Sequence, residues 1–300
     1  MLKGIAISLL AAAAIVAAVP APASAQVSYP GIAWSDLLPP VASPGQQRPE
    51  GVAHCRTPGL RCVNSALRRL RVARDRFGCD HRGVFATTYM TLTRVFRGMI
   101  MDDPGMVRYR EYLFVEDALF VNFYFRVLRA WERGDPVPQA WRIALETAES
   151  GSVYGAQDML LGINAHVQND MPFVIAALGV RTREGHTRKP DHDAVNAVLT
   201  RAYEPVVAAV RKRFDPSLDL TNPSQVPIDD MAGLEAVRGW REMVWRHAEQ
   251  LVNAGTPAER GQVAQRIEAY AGLTAQLIAA MPAPGYRAQR DAYCQSQLGG

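Results

Sequence analysis

Nowhere does this 300-residue chain alternate apolar and polar residues between hairpin turn signals, so a fold built on sheets has no sequence basis. No GxGxxG, P-loop or GxSxG pattern occurs. The usual carriers of dinucleotide binding, nucleotide-phosphate binding and α/β-hydrolase chemistry are therefore missing. No internal repeat is found, which excludes solenoid and propeller architectures. Lysine is nearly absent, at Lys3, Lys189 and Lys212, and arginine supplies the rest of the 33 basic residues. Against 29 acids the formal net charge is +4, too mild to argue for a nucleic-acid partner. Beyond the N-terminus no run is long and uncharged enough to span a bilayer.

A hydrophobic content of 48% and a charged content of 21% are globular values. Residues 1–25 read as a secretory signal peptide. Lys3 precedes an apolar, Ala-rich run from Ile5 to Val19, and Ala23-Ser24-Ala25 supplies the small-x-small cleavage pattern. The expected location is secreted or associated with the cell envelope. The four cysteines, Cys55, Cys62, Cys79 and Cys294, then favour disulfides. A helix over 63–77 would hold Cys62 and Cys79 roughly 25 Å apart, far beyond the ~7 Å between Cα atoms that a disulfide tolerates. The preferred pairing is Cys55–Cys62, closing a short loop, with Cys79–Cys294 tying down the C-terminal tail.

Residues 26–53 are rich in Pro, Gly and Ser and have no period. They read as an extended arm, with Ile32, Trp34, Leu37 and Leu38 available for docking. From residue 54 onward the pattern is helical. The apolar spacing predicts helices over 63–77, 82–101, 112–133, 138–149, 153–180, 191–214, 229–254 and 257–281, with a last turn around Cys294. Pro257 suits the first turn of its helix. The expected fold class is all-α: a single helical domain of about eight helices over 54–300, behind an extended N-terminal arm. The five arginines of 63–77 form a face that is solvated or meets an anionic surface.

Function has its strongest signal in GINAHVQNDMP, residues 162–172. Inside an apolar helix, His166 and Asp170 stand one turn apart on one face with Asn169 beside them. Gly162 removes a side chain one turn earlier, leaving room at the imidazole. Pro172 has no N–H, so the carbonyl of Gln168 loses its helical partner and the helix should kink or open near Asp170. Such a His/Asp pair can chelate a divalent metal or orient a general base. It can also be a buried polar cluster that is simply hydrogen-bonded. Partners for a metal come from three places. His81 follows Asp80, which could cap the next helix. Glu116 and Asp117 lie within LFVEDALFVNFYF, where exposing both acids is difficult. Asp191 opens PDHDAVNAVL, where it could also be a cap.

These residues carry a resemblance. Gly162, Asn164, Ala165, His166, Asp170 and Pro172 match a GxNAHxxxDxP helix, and Asp191, Val195 and Asn196 match a second, acidic-then-Val-Asn motif. Both resemble a bacterial exported family of unknown function, over roughly residues 55–200. The resemblance implies an all-α fold and no established activity. His166, Asp170 and Pro172 are also locally similar to the metal helix of zinc-dependent phospholipase C and single-strand nucleases. With only six histidines, that similarity implies an oxygen-rich site of one or two metals. The functional expectation is an exported, divalent-metal-dependent hydrolase (zinc or manganese) acting on an ester or phosphoester of a small-molecule or lipid-like substrate. His166, Asp170, His81, Asp117 and Asp191 would be ligands, Glu116 a base, and Asn164 a further catalytic group. The alternative is a non-catalytic envelope or binding protein in which the His/Asn/Asp cluster is structural.

Overall fold

The computed structural model describes residues 59–218 and 230–298. The expected signal peptide and arm, together with Cys55, therefore lie outside the described residues. Helices follow one another as α1 (Leu60–Phe77), α2 (Arg82–Asp102), α3 (Arg110–Glu132), α4 (Gln139–Ser150) and α5 (Gly155–Asn164). A π-helical turn (Ala165–Asp170) leads into α6 (Met171–Leu178), and then come α7 (Lys189–Arg213), α8 (Asp230–Asn253), α9 (Pro257–Ala279) and α10 (Tyr286–Leu298). Apart from an isolated bridge between Arg181 and Thr187, the described residues contain no strand. The all-α expectation holds, and most helix limits fall within a few residues of those read from the apolar spacing.

Local chemistry explains the limits. Thr256 and Glu259 form a capping box at the start of α9, with Pro257 in the first turn. At the end of α4, Gly151 turns left-handed at φ 60°, and a Cβ there would sit 2.8 Å from Arg287. α7 begins with Pro190 in its first turn and closes on Arg211, Lys212 and Arg213, cations suited to a helix C-terminus. No helix among the described residues is long and apolar enough to cross a membrane.

The main core joins α1, α2, α3 and α4 to the π turn, α6, α8 and α9 through Leu70, Tyr89, Phe120, Tyr124, Trp141 and Ile175. The π turn sits inside this core, touched by α3, α4, α8 and α9. A disulfide between Cys79 and Cys294, with Cα atoms 5.7 Å apart, ties α10 to the turn before α2, as the spacing argument preferred. On α1, Arg68, Arg71 and Arg76 are exposed. Arg69 instead lies over the Phe125 ring at 4.4 Å and donates to Asn122, which accounts for an amide on an otherwise apolar α3.

Candidate functional site

The expected helix over 153–180 is divided by the π turn. Met171 N–H bonds the carbonyl of His166, five residues back, so the backbone widens by one residue just before Pro172, which has no N–H to give. This is the form taken by the opening expected near Asp170. Gly162 serves a different purpose from the one its spacing implied. A Cβ there would lie 2.3 Å from the Phe85 ring, so the missing side chain admits Phe85 of α2. Phe85 then meets the His166 ring edge-on at 5.8 Å.

His166 is held from all sides. Its ring stacks on Phe120 at 3.5 Å and 7° and meets Tyr89 edge-on at 4.7 Å. Its Nδ1 lies 2.9 Å from Asp170 Oδ2. Asp170 also accepts from Trp141 Nε1 at 2.9 Å and from Asn169 Nδ2 at 2.8 Å. A carboxylate receiving two other N–H donors leaves Nδ1 as the third donor, which places the ring's lone pair on Nε2. That Nε2 is buried and has no hydrogen-bond partner in the protein. Burial lowers the His166 pKa against the pull of Asp170, so the ring is neutral at pH 7.

His166 forms part of the wall of a cavity of about 220 Å³ between α2, α3, α5, the π turn, α7 and α8. Most of that wall is apolar, from residues such as Leu92, Phe96, Leu160, Val198 and Ala202. The exceptions include Tyr89, Thr93, Glu116, Asp117 and Arg241. Tyr89 Oη, Thr93 Oγ1 and Asp117 Oδ2, like His166 Nε2, are buried without a partner in the protein. Burial pushes Asp117 up to about 8, helped by the neighbouring Glu116. Glu116 is itself raised by burial to about 7, against the opposing guanidinium of Arg241. Arg241 donates to Asn196 Oδ1 at 2.8 Å and to the carbonyl of His192.

Of the residues expected at the site, His166, Glu116 and Asp117 meet at this cavity, with Asp170 behind the imidazole. The other three lie elsewhere. Asn164 donates to the carbonyl of Ala271 at 2.9 Å and accepts from Gln168, which ties α5 to α9. Asp191 accepts from the backbone N–H groups of Arg108 at 2.8 Å and Tyr109 at 2.6 Å, using both of its oxygens. His81 lies 3.2 Å from Asp158 and 3.0 Å from Asp291. Among the described residues no group of three or more His, Cys, Asp or Glu side chains is placed to hold a metal ion. Trp141, Tyr89, Thr93 and Arg241 were not singled out from sequence. Trp141 carried a usable signal, since a buried indole N–H needs an acceptor.

A family model described as a family of unknown function (DUF5995) matches residues 63–281. The match runs beyond the stretch of 55–200 in which the motifs lie and takes in α8 and α9. No curated protein and no solved structure matches the chain. The local similarity to the zinc-dependent phospholipase C helix therefore rests on His166, Asp170 and Pro172 alone.

Proposed function

The chain belongs to that family of unknown function, and we propose that it is a binding protein for an apolar, lipid-like small molecule, held in the cavity with its polar end against His166, Tyr89 and Asp117. One observation carries this reading: His166, whose Nε2 has no partner in the protein, lines a mostly apolar cavity of about 220 Å³. A cavity of ~150 Å³ lined by apolar side chains already accepts benzene, so a ligand of this class has room. Its hydrocarbon part would gain roughly 25 cal/mol for each Å² removed from water. Its head would satisfy polar atoms whose isolation is costly.

The Nδ1–Asp170 contact favours a second reading, ester hydrolysis without a metal. Nε2 would take a proton from a water adding to the ester carbonyl and return it to the departing alkoxide. The divalent-metal hydrolase, with zinc or manganese, is the third reading. It would have to draw a ligand set from residues that stand apart in the fold.

A neutral naphthylamine probe, p-nitrophenyl octanoate and metal analysis separate the three readings. The expected result is saturable probe binding at one site, lost on filling the cavity with Leu199→Trp in a variant that still folds. Binding that is absent, or indifferent to Leu199→Trp, would overturn the proposal. Ester turnover lost in His166→Ala and unchanged by chelator would select the dyad. Stoichiometric zinc or manganese, with turnover lost to chelator, would select the metal.

A further inference from the structure

The wall of the cavity limits what the head of the ligand can be. Four side chains of that wall carry a buried polar atom without a partner in the protein: Tyr89 Oη, Thr93 Oγ1, Asp117 Oδ2 and His166 Nε2. The hydroxyls can donate or accept, and with its Nδ1 committed to Asp170, His166 presents a lone pair. A head that both donates and accepts can meet every one of these atoms. Charge narrows the class further. Among the described lining residues the only cation is Arg241, and it is occupied by Asn196, the carbonyl of His192 and the sulfur of Met171. Two carboxyl groups, Glu116 and Asp117, share the same wall. A carboxylate or phosphate head would find acids there and no free cation. An ammonium head would lose its hydration in a mostly apolar cavity.

From this arrangement we infer that the ligand is a neutral alcohol: an aliphatic or alicyclic molecule whose hydroxyl donates to His166 Nε2 and accepts from Tyr89 Oη or the Asp117 carboxyl. The inference rests on the cavity reading above and names the ligand class for the same site. The electrostatics agree with it. Burial holds Asp117 in its protonated form at neutral pH, with a pKa pushed up to about 8, so its carboxyl can donate to an oxygen. An ether or ester head leaves Nε2 without a donor. A carboxylate head leaves it without one and adds a buried charge.

Three ligands of one chain length test this by displacing the bound naphthylamine probe at pH 7: octan-1-ol, 1-methoxyoctane and octanoate. The expected result is that octan-1-ol displaces the probe at least tenfold more tightly than the other two. Tyr89→Phe, with its fold checked by thermal melting, should weaken the alcohol and the ether alike severalfold, because each offers an acceptor oxygen to Tyr89 Oη. Octanoate or the ether binding as tightly as the alcohol would overturn the alcohol assignment and leave the cavity reading standing. A bound probe that octan-1-ol cannot displace would do the same. If the probe itself fails to bind, both fall together.

Discussion

Two buried histidines in this molecule, His166 in the π turn and His81 before α2, have acidic neighbours and opposite consequences. His81 sits between two carboxylates, 3.2 Å from Asp158 and 3.0 Å from Asp291, so each ring nitrogen faces an acid. The same Asp158 lies 3.4 Å from Arg290, which is fully buried and donates to the carbonyl of Phe214. The disulfide from Cys79 to Cys294 closes the same junction. These contacts fix α10 against α5 and the end of α7. His166 has one acid, on Nδ1, and its other nitrogen is left over at a cavity wall. Residue type does not separate a clamp from a site here. The separation lies in what each ring faces beyond its first acid: a second carboxylate for His81, and a cavity that the ring lines for His166.

The largest effect should come from breaking the clamp. Asp158→Ala leaves Arg290 and His81 facing each other without the acid between them, and removing one partner of a buried ion pair costs ~3–5 kcal/mol. Urea denaturation of the full chain should show that loss, with probe binding retained in the folded fraction. A loss under ~1 kcal/mol would mean that the clamp contributes no more than surface pairs do, and the contrast would fail.

Gly162→Ala acts on the other region. Its Cβ would overlap the Phe85 ring, so α2 and α5 must separate or the ring must rotate away from His166. Overpacking of this kind costs ~1–3 kcal/mol. The aromatic cage around His166 should loosen as well, weakening probe binding along with stability. Unchanged binding would show that Phe85 packs the core and does not shape the site.

The third expected effect is a pH dependence. The Asp117 carboxyl has an ordinary pKa of 3.8 and is pushed up to about 8 by burial and by Glu116. Between those values the folded chain keeps a proton that the unfolded chain has lost. Stability from this group is therefore complete below about pH 4, declines as pH rises, and is gone above about pH 8. Asp117→Asn should flatten the decline of stability between pH 5 and 8. A parallel profile in the variant would place the titrating group elsewhere.

Much of the architecture was legible because helix-forming patterns are local. The 3–4 spacing of Phe85, Tyr89, Leu92 and Phe96 marks α2, and Thr256-Pro257 with Glu259 marks the start of α9. The rigid length of one helix argued against Cys62–Cys79, and of the pairings left, the preferred Cys79–Cys294 is the one present. The site was half legible. The run GINAHVQNDMP pointed to a His166–Asp170 contact and to a broken helix at Pro172, because both depend on neighbours within a single turn. Sequence proximity misled at Asn164 and Asp191. Each is a polar residue close to a motif, yet each is used up by a backbone group brought in from another helix or loop.

What the sequence by itself determined is the helical class, the helix limits and the one place where a helix must open. These are set by side-chain spacing, capping groups and a missing proline N–H, all acting over a few residues. Only the tertiary structure decided which buried polar atoms are satisfied. It put Trp141 on Asp170, Phe85 against Gly162 and Arg241 against His192. It also left His166 Nε2, Tyr89 Oη and Asp117 Oδ2 together at one cavity. A hydrogen bond reaches only ~3 Å, so partners far apart in sequence are settled by packing alone.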